Sequence, residues 1–289
     1  MYGPNNHDTC SGFHDAVGDM PTAVPIRPLA FAEHRQSRGP ARPACYGQRH
    51  MTTLGNSDPG QSLSQTQETV TAIALLSKGI AALEKPDNGL DADHIMLQSL
   101  ASGFERLLKV VLIFRALQTS GKVSARPWPS RVKGHDVDAL LDLVVNRCYA
   151  PAFYTRQAPS ILQDAQFLSS DPILRELMRI LAHYGLEGRY HDMDAALGQP
   201  QGSQSSPADE IDQLVLETIK RDIPDWAKRI SDVGKSMEME KAARRRLAAK
   251  CRRAARALAR LFTLSPLSPV ASPLTSVIGP FLFLRDEDL

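Results

Sequence analysis

The chain has 289 residues, a length for one or two domains, and 43% of them are hydrophobic, enough for at least one full core. Aromatic residues make up only 6%, so the apolar mass is Leu, Ala, Val and Ile, which favours helices over sheets. A net charge of +2 excludes a chain that binds polyanions by its overall charge, so any basic surface must be local.

Residues 1–61 are rich in Pro, Gly, Ser, Asn and His without a helical or strand period, and read as a disordered extension. Met51 opens a short polar lead into the first helix and is an alternative start. The opening MYGPNNHDTC has no basic segment leading into an apolar stretch, and the apolar run Val110–Phe114 is far short of the ~20 residues a membrane span needs. A cytoplasmic protein without a membrane span is expected. Cys10, Cys45, Cys148 and Cys251 are scattered without close pairs, so reduced thiols are expected, with no metal and no cofactor.

The fold class expected is all-α, an up-down bundle of four or five helices over 62–197 with extra C-terminal helices and disordered termini. Val70, Ile73, Ala74, Leu76, Ile80 and Leu83 recur at threes and fours in a first helix, closed by Pro86, Asp87, Asn88 and Gly89. Asp91 caps a longer second helix with Leu97, Leu100, Phe104, Val111 and Phe114 on its apolar stripe. Thr119 to Gly134 reads as an exposed connection, and Asp136 to Tyr149 as a third helix. Short helical pieces are expected between Ala158 and Phe167. Asp171-Pro172 opens a further helix as N-cap and first helical position.

Residues 198–206 read as a polar linker. Ser206-Pro207 restarts a helix that bends at Pro224, within a C-terminal helical region 207–262 whose basic helix covers 235–262. Residues 263–289 carry too many prolines for helix or central strand and read as an irregular tail.

The central motifs are Phe104-Glu105-Arg106-Leu107-Leu108-Lys109, Lys133-Gly134-His135-Asp136, Ala182-His183-Tyr184 and Arg189-Tyr190. In order and spacing they resemble the HEPN superfamily, helical bundles of prokaryotic toxin, defence and nucleotide-related proteins. Glu105, Lys109, His135, Asp136, Arg189 and Tyr190 carry the signature. The resemblance implies a homodimer, a nucleotidyltransferase-type partner and a place in a toxin–antitoxin or defence system. RNA-cutting members resemble one another in an Arg separated from a His by four to six residues. Here Arg131 and Arg179 precede His135 and His183 by only three intervening residues, and the correctly spaced Arg27 and His34 fall in the extension.

Arg179 and His183 nevertheless stand one helical turn apart, and a guanidinium beside an imidazole is a chemically sensible pair for phosphodiester cleavage. The bland alternative is a surface pair with His183 partly buried. Farther on, Arg244, Arg245, Arg246, Lys250, Arg252, Arg253, Arg256 and Arg260 share a segment without an acidic residue. They fit salt-dependent, sequence-indifferent contacts to RNA or DNA phosphates, or a solvated Ala/Arg helix that binds nothing. Three readings follow: an RNA-associated HEPN-like binding or regulatory module, a metal-independent endoribonuclease using Arg179 and His183, and a protein scaffold presenting Leu247 and Leu258.

Overall fold

The computed structural model describes residues 59–85, 92–123, 127–130, 132–149, 159–188, 197, 205–265 and 267–285. The expected extension as far as residue 58, the Asp91 cap, the linker 198–204 and the residues Arg189, Tyr190, Cys10 and Cys45 lie outside the described residues, whereas 59–61, expected in that extension, begin the first helix. Among the described residues the protein is all-α, without a strand.

The first two helices, α1 (Pro59–Glu84) and α2 (Ala92–Ser120), form an antiparallel pair. Gly79 and Gly103 make their contact close. A Cβ on Gly103 would stand 2.8 Å from Leu76 Cγ and 2.9 Å from its backbone nitrogen, and one on Gly79 would meet Leu100 at the same distances. The two glycines are reciprocal notches, and α2 buries Leu97, Leu100, Phe104, Leu107, Leu108 and Val111 in the middle of the bundle. Each such side chain contributes about 1.5–3 kcal/mol of transfer free energy.

Three helices follow: α3 (Val137–Cys148), α4 (Pro159–Ser170) and α5 (Pro172–Leu186). Asp171 Oδ1 accepts from Leu174 N at 3.0 Å, so the expected cap is formed, and Asp136 Oδ1 likewise caps α3 by accepting from Ala139 N at 3.0 Å. The stretch expected to hold short pieces is one continuous helix, α4, anchored by buried Ile161, Asp164, Phe167 and Leu168. Tyr184 of α5 is buried, and its hydroxyl reaches Gln98 Oε1 at 3.0 Å and His94 Nε2 at 3.1 Å on α2.

A capping box at Ser206, completed by Asp209, starts α6 (Pro207–Asp222). The bend expected at Pro224 is a break instead: Ile223 closes α6, and Asp225 adopts φ 58° in a turn before the single-turn α7 (Trp226–Arg229). Pro224 lacks the amide hydrogen that continuation would need. The basic helix α8 runs over Val233–Leu264.

The C-terminal helices share one core with the bundle. Buried residues from Ala72 to Phe281 form a single cluster, in which Phe114 of α2 and Phe262 of α8 meet edge to face at 5.8 Å. Leu247 and Leu258, the partner-facing residues of the scaffold reading, are fully buried in this core. Their apolar stripe is used up by packing against the chain's own helices.

The irregular-tail expectation is corrected. Residues 268–282 form α9 (Ser268–Ala271), a 3-10 turn (Ser272–Leu274) and α10 (Thr275–Leu282). Pro269 and Pro273 sit in the first turns, where no intrahelical donor is needed. Pro280 is inside α10, but that helix is two turns long and is held by buried Ile278 and Phe281. No single helix among the described residues is long and apolar enough to cross a membrane.

Candidate anion-binding cleft and the His183 pocket

The eight cations expected on α8 divide into two groups. Arg244 faces inward and is the anchor of the helix's first half: its Nε donates to Glu240 at 2.8 Å, Nη2 to Asp212 at 3.1 Å and Nη1 to Asp93 at 3.4 Å. Arg252 pairs with Glu84 at the end of α1. Both are committed to packing and do not face the cleft. Arg245 is exposed and also lies outside it.

The remaining five, Arg246, Lys250, Arg253, Arg256 and Arg260, line one cleft of about 830 Å³ between α4, the start of α5, the end of α6 and α8. Arg221, in the last turn of α6, is a sixth cation there that the sequence reading missed. The signal that could have found it is a Lys-Arg pair ahead of a helix stop. Three carboxylates share the cleft, each already engaged. Asp164 accepts two hydrogen bonds from Arg260 Nη1 at 3.0 and 3.1 Å, Asp171 pairs with Lys250 at 2.5 Å, and Asp222 pairs with Arg221 at 3.1 Å and Arg246 at 2.5 Å.

These carboxylates hold Arg221, Arg246, Lys250 and Arg260 in place. Burial pushes the Asp164 carboxyl above its ordinary range, and the hydrogen bonds from Arg260 pull it back only in part. Asp222 goes the other way, lowered chiefly by its hydrogen bond from Arg221. Under the row lies the buried ring of Phe167, with the Arg253 guanidinium 4.1 Å and Lys250 Nζ 5.4 Å from its centroid. Arg256 donates from Nη1 to the Leu284 carbonyl at 3.0 Å, tying the cleft wall to the end of α10.

A second pocket, about 410 Å³, contains the candidate catalytic pair. Arg179 and His183 do converge, through Glu210 in the first turn of α6: Oε2 stands 3.2 Å from His183 Nδ1 and 3.4 Å from Arg179 Nη2. Arg179 also grips Glu176 at 2.7 Å, the main cause of its raised pKa. Asp136, Asp138, Glu187 and Glu210 line the same pocket, so four carboxylates surround one Arg and one His.

Three residues of the central motifs, Glu105, Lys109 and His135, form a third cluster. Glu105, 9% exposed, bridges Lys109 Nζ at 2.5 Å and His135 Nδ1 at 2.9 Å, and Lys109 Nζ lies 5.2 Å from the ring centroid of Trp128. The cluster ties α2 to the entry of α3. Cys148 and Cys251 are buried, and burial pushes both thiols up to about 12. Comparison of the chain with family models, curated proteins and solved structures finds no match.

Proposed function

We propose that the chain is a helical binding module, HEPN-like in its bundle, that holds RNA by its phosphate backbone along α8. The observation that carries this reading is the single cleft of about 830 Å³ in which six cations face three carboxylates. Arg246, Lys250, Arg253 and Arg260 share one face of α8, and the fourteen rises of 1.5 Å from the first to the last make a row about 21 Å long. Such a row displaces condensed counterions from several phosphates, so affinity falls as salt rises. The test is a gel shift of the full chain with labelled single-stranded RNA across a salt series. A low-salt shift that fades with added salt is expected; no shift at the lowest salt refutes the reading.

A second reading, a metal-independent endoribonuclease, is favoured by the convergence of Arg179 and His183 on Glu210. Arg179 would polarise a phosphodiester and His183 would accept the 2′-hydroxyl proton. The four carboxylates of that pocket oppose it. A phosphate about 4 Å from each meets a repulsion of roughly 1 kcal/mol in water and about 4 kcal/mol at an effective dielectric of 20. Binding without cleavage is therefore expected. Metal-free cleavage that disappears in His183→Ala, with thermal stability retained, would reverse the order of the two readings.

A further inference from the structure

The α8 cleft offers charge and little else. Its uncharged polar side chains are Ser160 and Gln163, both on the α4 side. The aromatic ring beneath it, Phe167, is 5% exposed and lies under the ammonium of Lys250 and the guanidinium of Arg253. Reading of nucleic-acid bases needs hydrogen-bonding groups at base edges or open rings for stacking, and proteins that hold single strands add such rings to their basic groove. This cleft has neither on its α8 side. What it has is guanidinium and ammonium groups suited to phosphate oxygens, of which Arg260, Lys250 and Arg246 are held by Asp164, Asp171 and Asp222.

We infer that the cleft recognises an unbranched phosphate chain irrespective of bases and sugars, so that inorganic polyphosphate is a ligand of the same site. This rests on the reading of the cleft as the RNA-holding surface and narrows the chemistry it recognises. Both ligands present a linear run of anionic phosphates to a row about 21 Å long. Six cations against three carboxylates leave the cleft with three positive charges in excess, so the phosphate chain is attracted overall.

The test uses the full chain with three probes: fluorescent single-stranded RNAs of one length, made of U, of C or of A, and linear inorganic polyphosphate. Each is titrated directly by anisotropy or calorimetry, and polyphosphate is titrated against bound RNA. The three RNAs should bind within about threefold of one another, and polyphosphate should displace them in proportion to its charge. Arg253→Ala and Arg246→Ala should weaken RNA and polyphosphate by similar factors, and Arg245→Ala neither. RNA binding that polyphosphate cannot displace, or a tenfold preference for one base, overturns the inference and leaves the RNA reading intact. Polyphosphate binding without RNA binding sustains the inference and removes RNA as the ligand. Binding of neither removes both.

Discussion

Arg260 and Asp164 make a pair whose two halves should respond unequally to mutation. The Asp164 side chain is 5% exposed and that of Arg260 20%, and together they clamp α8 to α4. Arg260→Ala leaves the carboxylate buried without its main partner. Removing one member of a buried pair costs about 3–5 kcal/mol; the remaining access of water around Arg260 places this case near the lower end, ~3 kcal/mol. Asp164→Asn keeps an acceptor oxygen for Arg260 and removes a charge that burial already disfavours, so its cost should stay below about 1 kcal/mol. The pH dependence follows from the raised carboxyl. A group that binds its proton more tightly when folded contributes stability below its unfolded pKa, and that contribution is lost as pH rises through the folded value. Relative to Asp164→Asn, the wild type should therefore gain stability as pH falls from neutral through this window. Urea unfolding of both variants and their double mutant, at neutral and mildly acidic pH, measures all three terms. Equal costs for the two substitutions, or a stability difference that moves oppositely with pH, would refute the reasoning.

Gly103→Val should destabilise by about 1–3 kcal/mol, read by urea unfolding, because its Cβ would meet both the side chain and the backbone of Leu76 at under 3 Å. Leu258→Asp should prevent folding, a loss above about 4 kcal/mol seen by circular dichroism, since that side chain is fully buried in the chain's own core. A well-folded Leu258→Asp protein would instead return that position to a surface role. Cys148 and Cys251 should resist alkylation at mildly alkaline pH and become labelled only on unfolding, which peptide mass mapping can follow, because both thiols are pushed up to about 12.

The helices were legible where local chemistry fixed them. Asp136, Asp171 and Ser206 are caps that need only their own three following residues, and each begins a helix where the sequence places one. The stripe in α2 was legible for the same reason. The tail was misread because proline was counted as a breaker without regard to position; at the first turn of a short helix it breaks nothing. The contact at Gly79 and Gly103 was invisible because nothing in one helix announces what it faces.

The site was half legible. The cationic segment of α8 is evident in the sequence, but the partners that hold it are far away: Asp93 for Arg244, Glu84 for Arg252 and Asp164 for Arg260. Asp93 and Glu84 keep Arg244 and Arg252 out of the cleft, whereas Asp164 holds Arg260 at its wall. Arg179 and His183 were paired by spacing alone, whereas Glu210, which brings them together, comes from another helix.

The most direct test of the cleft is the salt dependence of single-stranded RNA binding by the wild type, Arg253→Ala, Arg246→Ala and Arg245→Ala. The first two variants remove cleft cations and the third an exposed cation outside it. The account predicts that each cleft variant binds more weakly and lowers the slope of log affinity against log salt by about 0.7, while Arg245→Ala matches the wild type. Equal losses from all three would mean that RNA meets a diffuse basic helix, and the cleft would have no special part in binding.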